Sequence, residues 1–465
     1  MSDVTVSMGL IDPVQLLTAK RFDVIAKYLY VRFNSMGLDT DWANLVYREH
    51  IRVFNGCVEV DGTEKYGADS FVSAFDSVIE SIRQTGFSPE EPPLPVDADG
   101  IILDGAHRLA ACLYYKSFLR VRKMTDIAPE YDYKYFVKRG ISSIVSDAIA
   151  VEYCRLEPNV FVPIVYPSAQ GKDNELMSIL SKYGDVFYSK EVCLSGNGPL
   201  NLIRQIYHSE PWLGTYADGF SGAKNKTFGC FQKDGAVRAF VVKSNLENML
   251  LAKNEIRDLF GISNHSVHIN DTHDESIELS NILFNANSIH FLNYAKVVNF
   301  KWFQNLLDEY KVFLKKNNID GECLCIDGSA IMAAYGIRAA RDLDYLHHGY
   351  EDMVSGYKEI GSHNHSADLY ASSIDDVIFN PANYFYYDGL KFATLDILKK
   401  MKIKRGEDKD SEDVMLIDNF LKGINPRKSL KDFWVFIKPK FWYVKIRFLA
   451  LKTRFYLYKL LKNMK

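Results

Sequence analysis

The chain has 465 residues, 47% of them hydrophobic and 25% charged, with a formal net charge of −3. That length exceeds what one hydrophobic core organises and predicts two to four domains, and the composition predicts packed cores and excludes wholesale disorder. A near-neutral balance argues against a nucleic-acid coat. Seven scattered cysteines (57, 112, 154, 193, 230, 323 and 325) without a C-x-x-C pair fit neither a disulfide framework nor a zinc ribbon and point to a reducing compartment. The first residues carry neither a basic leader nor an apolar run, and no stretch approaches ~20 uncharged apolar residues, so neither secretion nor membrane spanning is expected.

The pattern predicts a mixed α+β and α/β multidomain fold in four segments, 1–160, 161–297, 298–430 and 431–465. In the first, helical spacing over 14–31 precedes a Pro-rich stretch at 88–100. The apolar run Ile101-Ile102-Leu103 then predicts a strand, because Pro can neither donate to a ladder nor continue a helix. A helix is expected over 105–115. The second segment shows short apolar runs at 160–166 and 236–243 and helical patterns at 173–183 and 249–260. The third opens on an amphipathic helix over 300–316, with Phe303, Leu306, Leu307, Tyr310 and Phe313 at helical spacing. A strand at 323–326, a turn Asp327-Gly328-Ser329, a helix to 335 and a strand at 342–346 follow.

Two motifs carry phosphate chemistry. In ILDGAHRLAA, residues 102–111, the turn Asp104-Gly105 joins a strand to a helix start with His107 and Arg108 in its first turn. Free backbone N–H groups and the positive dipole end favour an anion there, and Arg108 adds a forked cation. This string resembles the D-G-x-H-R segment of the ParB/sulfiredoxin-like nucleotide-binding fold, which includes free-serine kinases. The resemblance implies that Asp104, Gly105, His107 and Arg108 contact ATP or CTP phosphates, and that an earlier acid, Glu49 or Glu59, acts as base. Ala106 stands where sulfiredoxin has its catalytic Cys, which disfavours reductase chemistry.

In DGSAIMAAYGIRAARDLDYL, residues 327–346, a Gly328-Ser329 turn is followed by Asp342 and Asp344, which strand alternation puts on one face. Two carboxylates suit Mg²⁺, which prefers oxygen ligands and brings nucleotide phosphates with it. The string resembles the nucleotidyltransferase (polymerase-β-like) pattern, with Arg338 or Arg341 in the place of the Arg before D-L-D. A third carboxylate is expected from Asp388, although Asp-Gly is equally a hairpin turn; Asp368, Asp375 and Asp376 are alternatives. Downstream, Lys400, Lys404 or Arg405 could approach a triphosphate, or lie on an exposed charged helix.

NHSVHINDTHDE, residues 264–275, gathers His265, His268, Asp271 and His273. It matches no zinc motif, and it reads either as a strand-to-helix junction with an N-cap and first-turn acids or as a site in which His265 or His268 and the nearby Lys224, Lys226, Lys253 and Arg257 face a phosphate. From 431 to 465 ten Lys/Arg stand against one acid. Basic pairs such as Lys445/Arg447 and Lys452/Arg454 recur every seven residues among aromatics, which predicts an interfacial helix on anionic lipid. Packing on the body or binding single-stranded nucleic acid are the other readings.

The combination resembles proteins of bacterial surface-polysaccharide biosynthesis. It implies a cytoplasmic enzyme, peripheral on the inner face of the membrane, that uses Mg²⁺ and ATP or another NTP to modify a sugar, alditol phosphate or lipid-linked glycan. A toxin or defence nucleotidyltransferase acting on tRNA or protein, and a noncatalytic nucleotide-gated membrane module, are the alternatives. Oligomeric state is not specified by the sequence.

Overall fold

The computed structural model describes residues 7–59, 64–350 and 358–423. The tail with Lys445, Arg447, Lys452 and Arg454 lies outside the described residues. No described helix is long and apolar enough to cross a membrane. The chain is mixed α and β and divides into compact units between Leu398 and Lys399.

The first stretch contains β1 (Ser7–Ile11), α1 (Phe22–Met36), α2 (Trp42–Asn55), the short pair β2 (Val58–Glu59) and β3 (Lys65–Tyr66), α3 (Ala68–Thr85), β4 (Leu94–Val96), α4 (Ala106–Tyr115) and β5 (Leu119–Lys123). Strand β5 is central, antiparallel to β1 and parallel to β4. Helix α1 begins later than the apolar spacing predicts, because Pro13 opens a 3₁₀ turn, Pro13–Leu16, capped by Asp12. The strand expected at 101–103 is only the return arm of a hairpin from β4, bridged at Val96 and Ile102. The Asp97 carboxylate closes its turn by accepting from the N–H groups of Asp99 and Ile101.

Helices α5 (Tyr133–Lys138) and α6 (Ser143–Leu156) lead to a second sheet. Its elements are β6 (Val160–Phe161), β7 (Ile164–Val165), α7 (Asp173–Tyr183), β8 (Asp185–Val192), α8 (Gly198–Ile206), α9 (Ser221–Cys230), β9 (Val237–Lys243), α10 (Leu246–Phe260) and β10 (Val267–His268), followed by α11 (His273–Leu283) and α12 (Ala286–Tyr294). Strand β9 pairs antiparallel with β6, β7 and β8. Its near-continuous apolar run is covered by Leu176 and Leu180 of α7 and by Met249, Ala252 and Ile256 of α10.

The third sheet is built from β11 (Leu324–Asp327), β12 (Leu343–His347), β13 (Ile360–Ser362), β14 (Tyr384–Tyr387) and β15 (Leu390–Ala393), in the order β13-β12-β11-β15-β14. Helix α13 (Lys301–Lys316) buries the five apolar residues that its spacing predicts. Helices α14 (Ser329–Ala334) and α15 (Ile374–Phe379) complete the stretch, and α16 (Leu395–Arg405) spans the division at 398. Beyond it, α17 (Asp408–Leu421) holds Asp410, which Lys402 and Arg405 reach at 3.0 and 2.7 Å. Arg405 is thus committed to an ion pair.

Within 1–398 a chain of charges crosses from the first stretch to the third. Arg32 of α1 meets Glu152 of α6 at 2.8 Å, Arg155 reaches Glu322 at 2.7 Å, and Lys391 of β15 lies 3.2 Å from Glu322. The Tyr386 hydroxyl lies 2.9 Å from both Glu322 oxygens. Burial alone would raise the Glu322 carboxyl, but Arg155 and Lys391 outweigh it and hold it down at about 2, against an ordinary 4.5. A depressed carboxyl stabilises the fold above its ordinary value and loses that contribution as pH falls from 4.5 toward 2. Glu322→Gln is therefore expected to cost about 3 kcal/mol in urea unfolding at neutral pH. The gap from wild type should narrow below pH ~4.

Candidate functional sites

The second motif lies where β11 ends. Gly328 takes a left-handed φ of 66° between Asp327 and the first turn of α14. A Cβ there would stand 2.5 Å from Asp344 Oδ2, so only glycine lets that carboxylate lie against the turn. Asp344 is opposite Asp327 in the antiparallel β11/β12 register, and the Ser329 hydroxyl lies 3.4 Å from Asp342 Oδ1. Asp342 is exposed and Asp344 half-buried. Behind them Asp327 is fully buried; its Oδ2 lies 2.9 Å from His363 Nδ1 and accepts from the Tyr370 hydroxyl, while its Oδ1 has no partner. Arg341 points into solvent, and Arg338 donates to the Ala339 carbonyl at 2.9 Å.

Asp388 does not join this edge. It occupies the left-handed position of the Asp-Gly hairpin turn between β14 and β15, at φ 55°, and pairs with Lys311 at 2.7 Å. Because β15 runs parallel to β11 with Phe392 beside Ile326, that turn sits at the opposite end of the strands from Asp327. Asp375 and Asp376 bind the loop before α2, through the Asp39 N–H and the Thr40 hydroxyl, both at 2.8 Å. Among the described residues no group of three or more His, Cys, Asp or Glu gathers as a metal cluster. Two carboxylates nevertheless fit Mg²⁺, which keeps several waters and takes further oxygens from substrate phosphates.

At the first motif Gly105 has φ 86°, and a Cβ would meet Leu94 Cδ2 at 2.3 Å. His107 Nε2 lies 2.9 Å from the Tyr47 hydroxyl. Arg108 turns back onto the Pro-rich stretch, donating to the Pro92 carbonyl at 2.9 Å, so the expected phosphate fork is engaged within the chain. Asp104 stays exposed beside the motif. Beneath the helix start lies a buried group that no local pattern marks. Asp23 receives Arg21 at 2.8 Å and Lys27 at 2.9 Å, and Arg21 also donates to the Ile102 carbonyl at 2.5 Å. His50 is fully buried near Phe54 and Phe136, with neither ring nitrogen partnered. Burial, then the Lys27 charge, holds both His50 and His107 well below the usual histidine range, so both are neutral at pH 7.

The two candidate bases part company. Glu49 faces away and accepts from the Ser142 N–H at 2.5 Å and the Ser142 hydroxyl at 3.1 Å, at the start of α6. Glu59 pairs with Lys65 at 2.5 Å, and its charge acts on Lys27 and Tyr47.

The central histidines disperse. His265 packs over Gly229, where an added Cβ would lie 2.4 Å from its ring. His268 on β10 meets the Tyr207 ring edge-on at 5.1 Å, and His273 Nε2 lies 2.7 Å from the Cys154 carbonyl. Thr272 and Glu275 form a capping box at the start of α11, as the junction reading predicts. Asp271 is exposed.

A cavity of about 300 Å³ opens between α8 and the loop after it on one side and α11, α12 and the β14–β15 turn on the other. Arg204, Gln205, Glu278, Gln304 and Tyr387 line it, with Asp388 at its edge. Burial raises the Glu278 carboxyl above its usual range. Ala333 and Ala334 also line it, so the cavity lies about 6–8 Å along α14 from Ser329. Its residues come from four distant segments, and no spacing rule unites them.

Compared with protein-family models, with curated proteins and with solved structures, the chain matches none.

Glu49→Ala should lower stability by about 1 kcal/mol through the lost acceptor for the Ser142 N–H, read by urea unfolding, and leave nucleotide affinity unchanged. Glu59→Gln should do the reverse.

Proposed function

We propose that the protein is a Mg²⁺-dependent transferase of phosphorus-containing groups that binds ATP or another NTP at the Gly328-Ser329 turn. One observation carries the reading: Asp344 lies against Gly328 while Asp342 approaches Ser329, so a Gly-Ser turn and two carboxylates share one edge of the sheet. Asp342 and Asp344 would hold Mg²⁺, which when bound neutralises charge on the transferring phosphates. The free N–H groups of the turn and the Ser329 hydroxyl bind phosphate oxygens. Asp327, clamped by His363 and Tyr370, keeps the end of β11 rigid so that the turn holds its shape.

In this reading the first motif adds a nucleotide contact through Gly105 and His107, and Glu59, whose charge acts on Tyr47 and Lys27, is its candidate base rather than the Ser142-bound Glu49. The acceptor is a sugar, alditol phosphate or lipid-linked glycan. The 300 Å³ cavity, with carboxylate, amide and aromatic groups facing inward, has the size and mixed character to hold one sugar ring of it. Attachment to the inner membrane face through the basic tail belongs to the same proposal.

Asp342→Asn and Asp344→Asn should each reduce calorimetric NTP affinity in Mg²⁺ to the value measured in EDTA, with an unchanged circular dichroism spectrum. Mg²⁺-dependent affinity that survives in the double variant contradicts the assignment.

A further inference from the structure

Around His268 the central stretch gathers cations without matching acids. Lys253 and Arg257 are one turn apart on α10 and share a face. The Lys253 ammonium donates to the Ile269 carbonyl at 3.0 Å, next to His268 in the chain. From α9, Lys226 is buried, donates to the Asn264 carbonyl and stands 5.5 Å from the centre of the Tyr207 ring, the ring that His268 meets edge-on. Three cations from two helices thus surround one imidazole.

Their compensation is poor. Asp271 is the acid nearest Lys253, at 3.8 Å, and its side chain is 64% exposed, so solvent screens much of that attraction. The charges acting on His268 are Lys253, Lys226 and Arg257, and on Lys226 burial weighs most, with Cys230 acting against Arg257 and Lys253. Arg257 is half-buried, and its Nε has no hydrogen-bond partner. Like charges held together in a partly desolvated place destabilise a fold unless an anion joins them.

We propose that Lys226, Lys253, Arg257 and His268 form a binding site for a phosphate monoester, separate from the Asp342/Asp344 edge and independent of Mg²⁺. The Arg257 fork and the Lys ammonium groups match the tetrahedral oxygens of such a group, and His268 stays neutral and donates through one ring N–H. His265, packed over Gly229 at the same junction, flanks the site. The phosphate can be free, part of a sugar phosphate, or the terminal group of a nucleotide; the chemistry recognised is the same.

The test uses the full chain in EDTA at constant ionic strength, with inorganic phosphate, glucose 1-phosphate and ATP as probes, read by thermal unfolding and calorimetry. Phosphate at millimolar concentration should raise the melting temperature where equal chloride does not. Arg257→Gln and Lys253→Gln should each weaken phosphate binding at least tenfold, with affinity falling as salt rises. Lys226→Met should raise the melting temperature of the phosphate-free protein, by removing one repelling charge, and abolish the phosphate-induced shift. If Lys226→Met fails to fold, the two α10 variants decide alone. Because every measurement is made in EDTA, where the Asp342/Asp344 edge has no metal to hold, binding under these conditions separates this site from the proposed nucleotidyltransferase edge. Stronger binding of glucose 1-phosphate than of ATP marks the source as a sugar phosphate, and the reverse a nucleotide. No melting shift with any probe, or equal shifts in wild type and both α10 variants, overturns the proposal.

Discussion

The run of charges from Arg32 through Glu152, Arg155 and Glu322 to Lys391 is the constraint on which the rest of residues 1–398 depends. Buried ion pairs seldom add net stability over well-packed apolar groups, yet breaking one leaves an uncompensated charge and is severely destabilising. The chain therefore acts less as glue than as a locating pin. Three cations and two carboxylates settle only when α1, α6, the turn before β11 and strand β15 take one arrangement. That arrangement brings β14 and β15 beside α11 and α12, and so closes the cavity lined by Gln205 and Glu278.

The Asp342/Asp344 edge is built by subtraction as much as by placement. Gly328 is required twice, for its left-handed φ and for the carboxylate that occupies the space of a side chain. Behind it, a wholly buried aspartate spends one oxygen on His363 and Tyr370 and leaves the other without a partner. Such a cost is tolerated where rigidity at a strand end matters more than stability.

Local signals were legible and long-range ones were not. Helices Asp173–Tyr183 and Lys301–Lys316 fall where apolar spacing predicts them, because one buried face dictates the period. The order of strand, Gly-Ser turn, helix and Asp-x-Asp strand is likewise as read, since alternation and the turn are local properties. Glu49 reads as a candidate base from the sequence because nothing near it in the chain reveals that Ser142, 93 residues on, donates to its carboxylate. Asp388 satisfied two readings, and the parallel register of β15 on β11 settles it as the hairpin turn. The Arg21, Asp23, Lys27 and His50 group carries no signal in the sequence because burial, not spacing, makes it unusual. The histidines of 264–275 share a short stretch of sequence but not one set of contacts, since His265, His268 and His273 meet Gly229, Tyr207 and the Cys154 carbonyl in turn.

The most direct test of the central reading is the position of a metal. Crystals grown with Mn²⁺ and a non-hydrolysable NTP should show an anomalous peak at the oxygens of Asp342 and Asp344, with the nucleotide phosphates at the Gly328-Ser329 turn. A nucleotide bound elsewhere, with no metal at either aspartate, would contradict it.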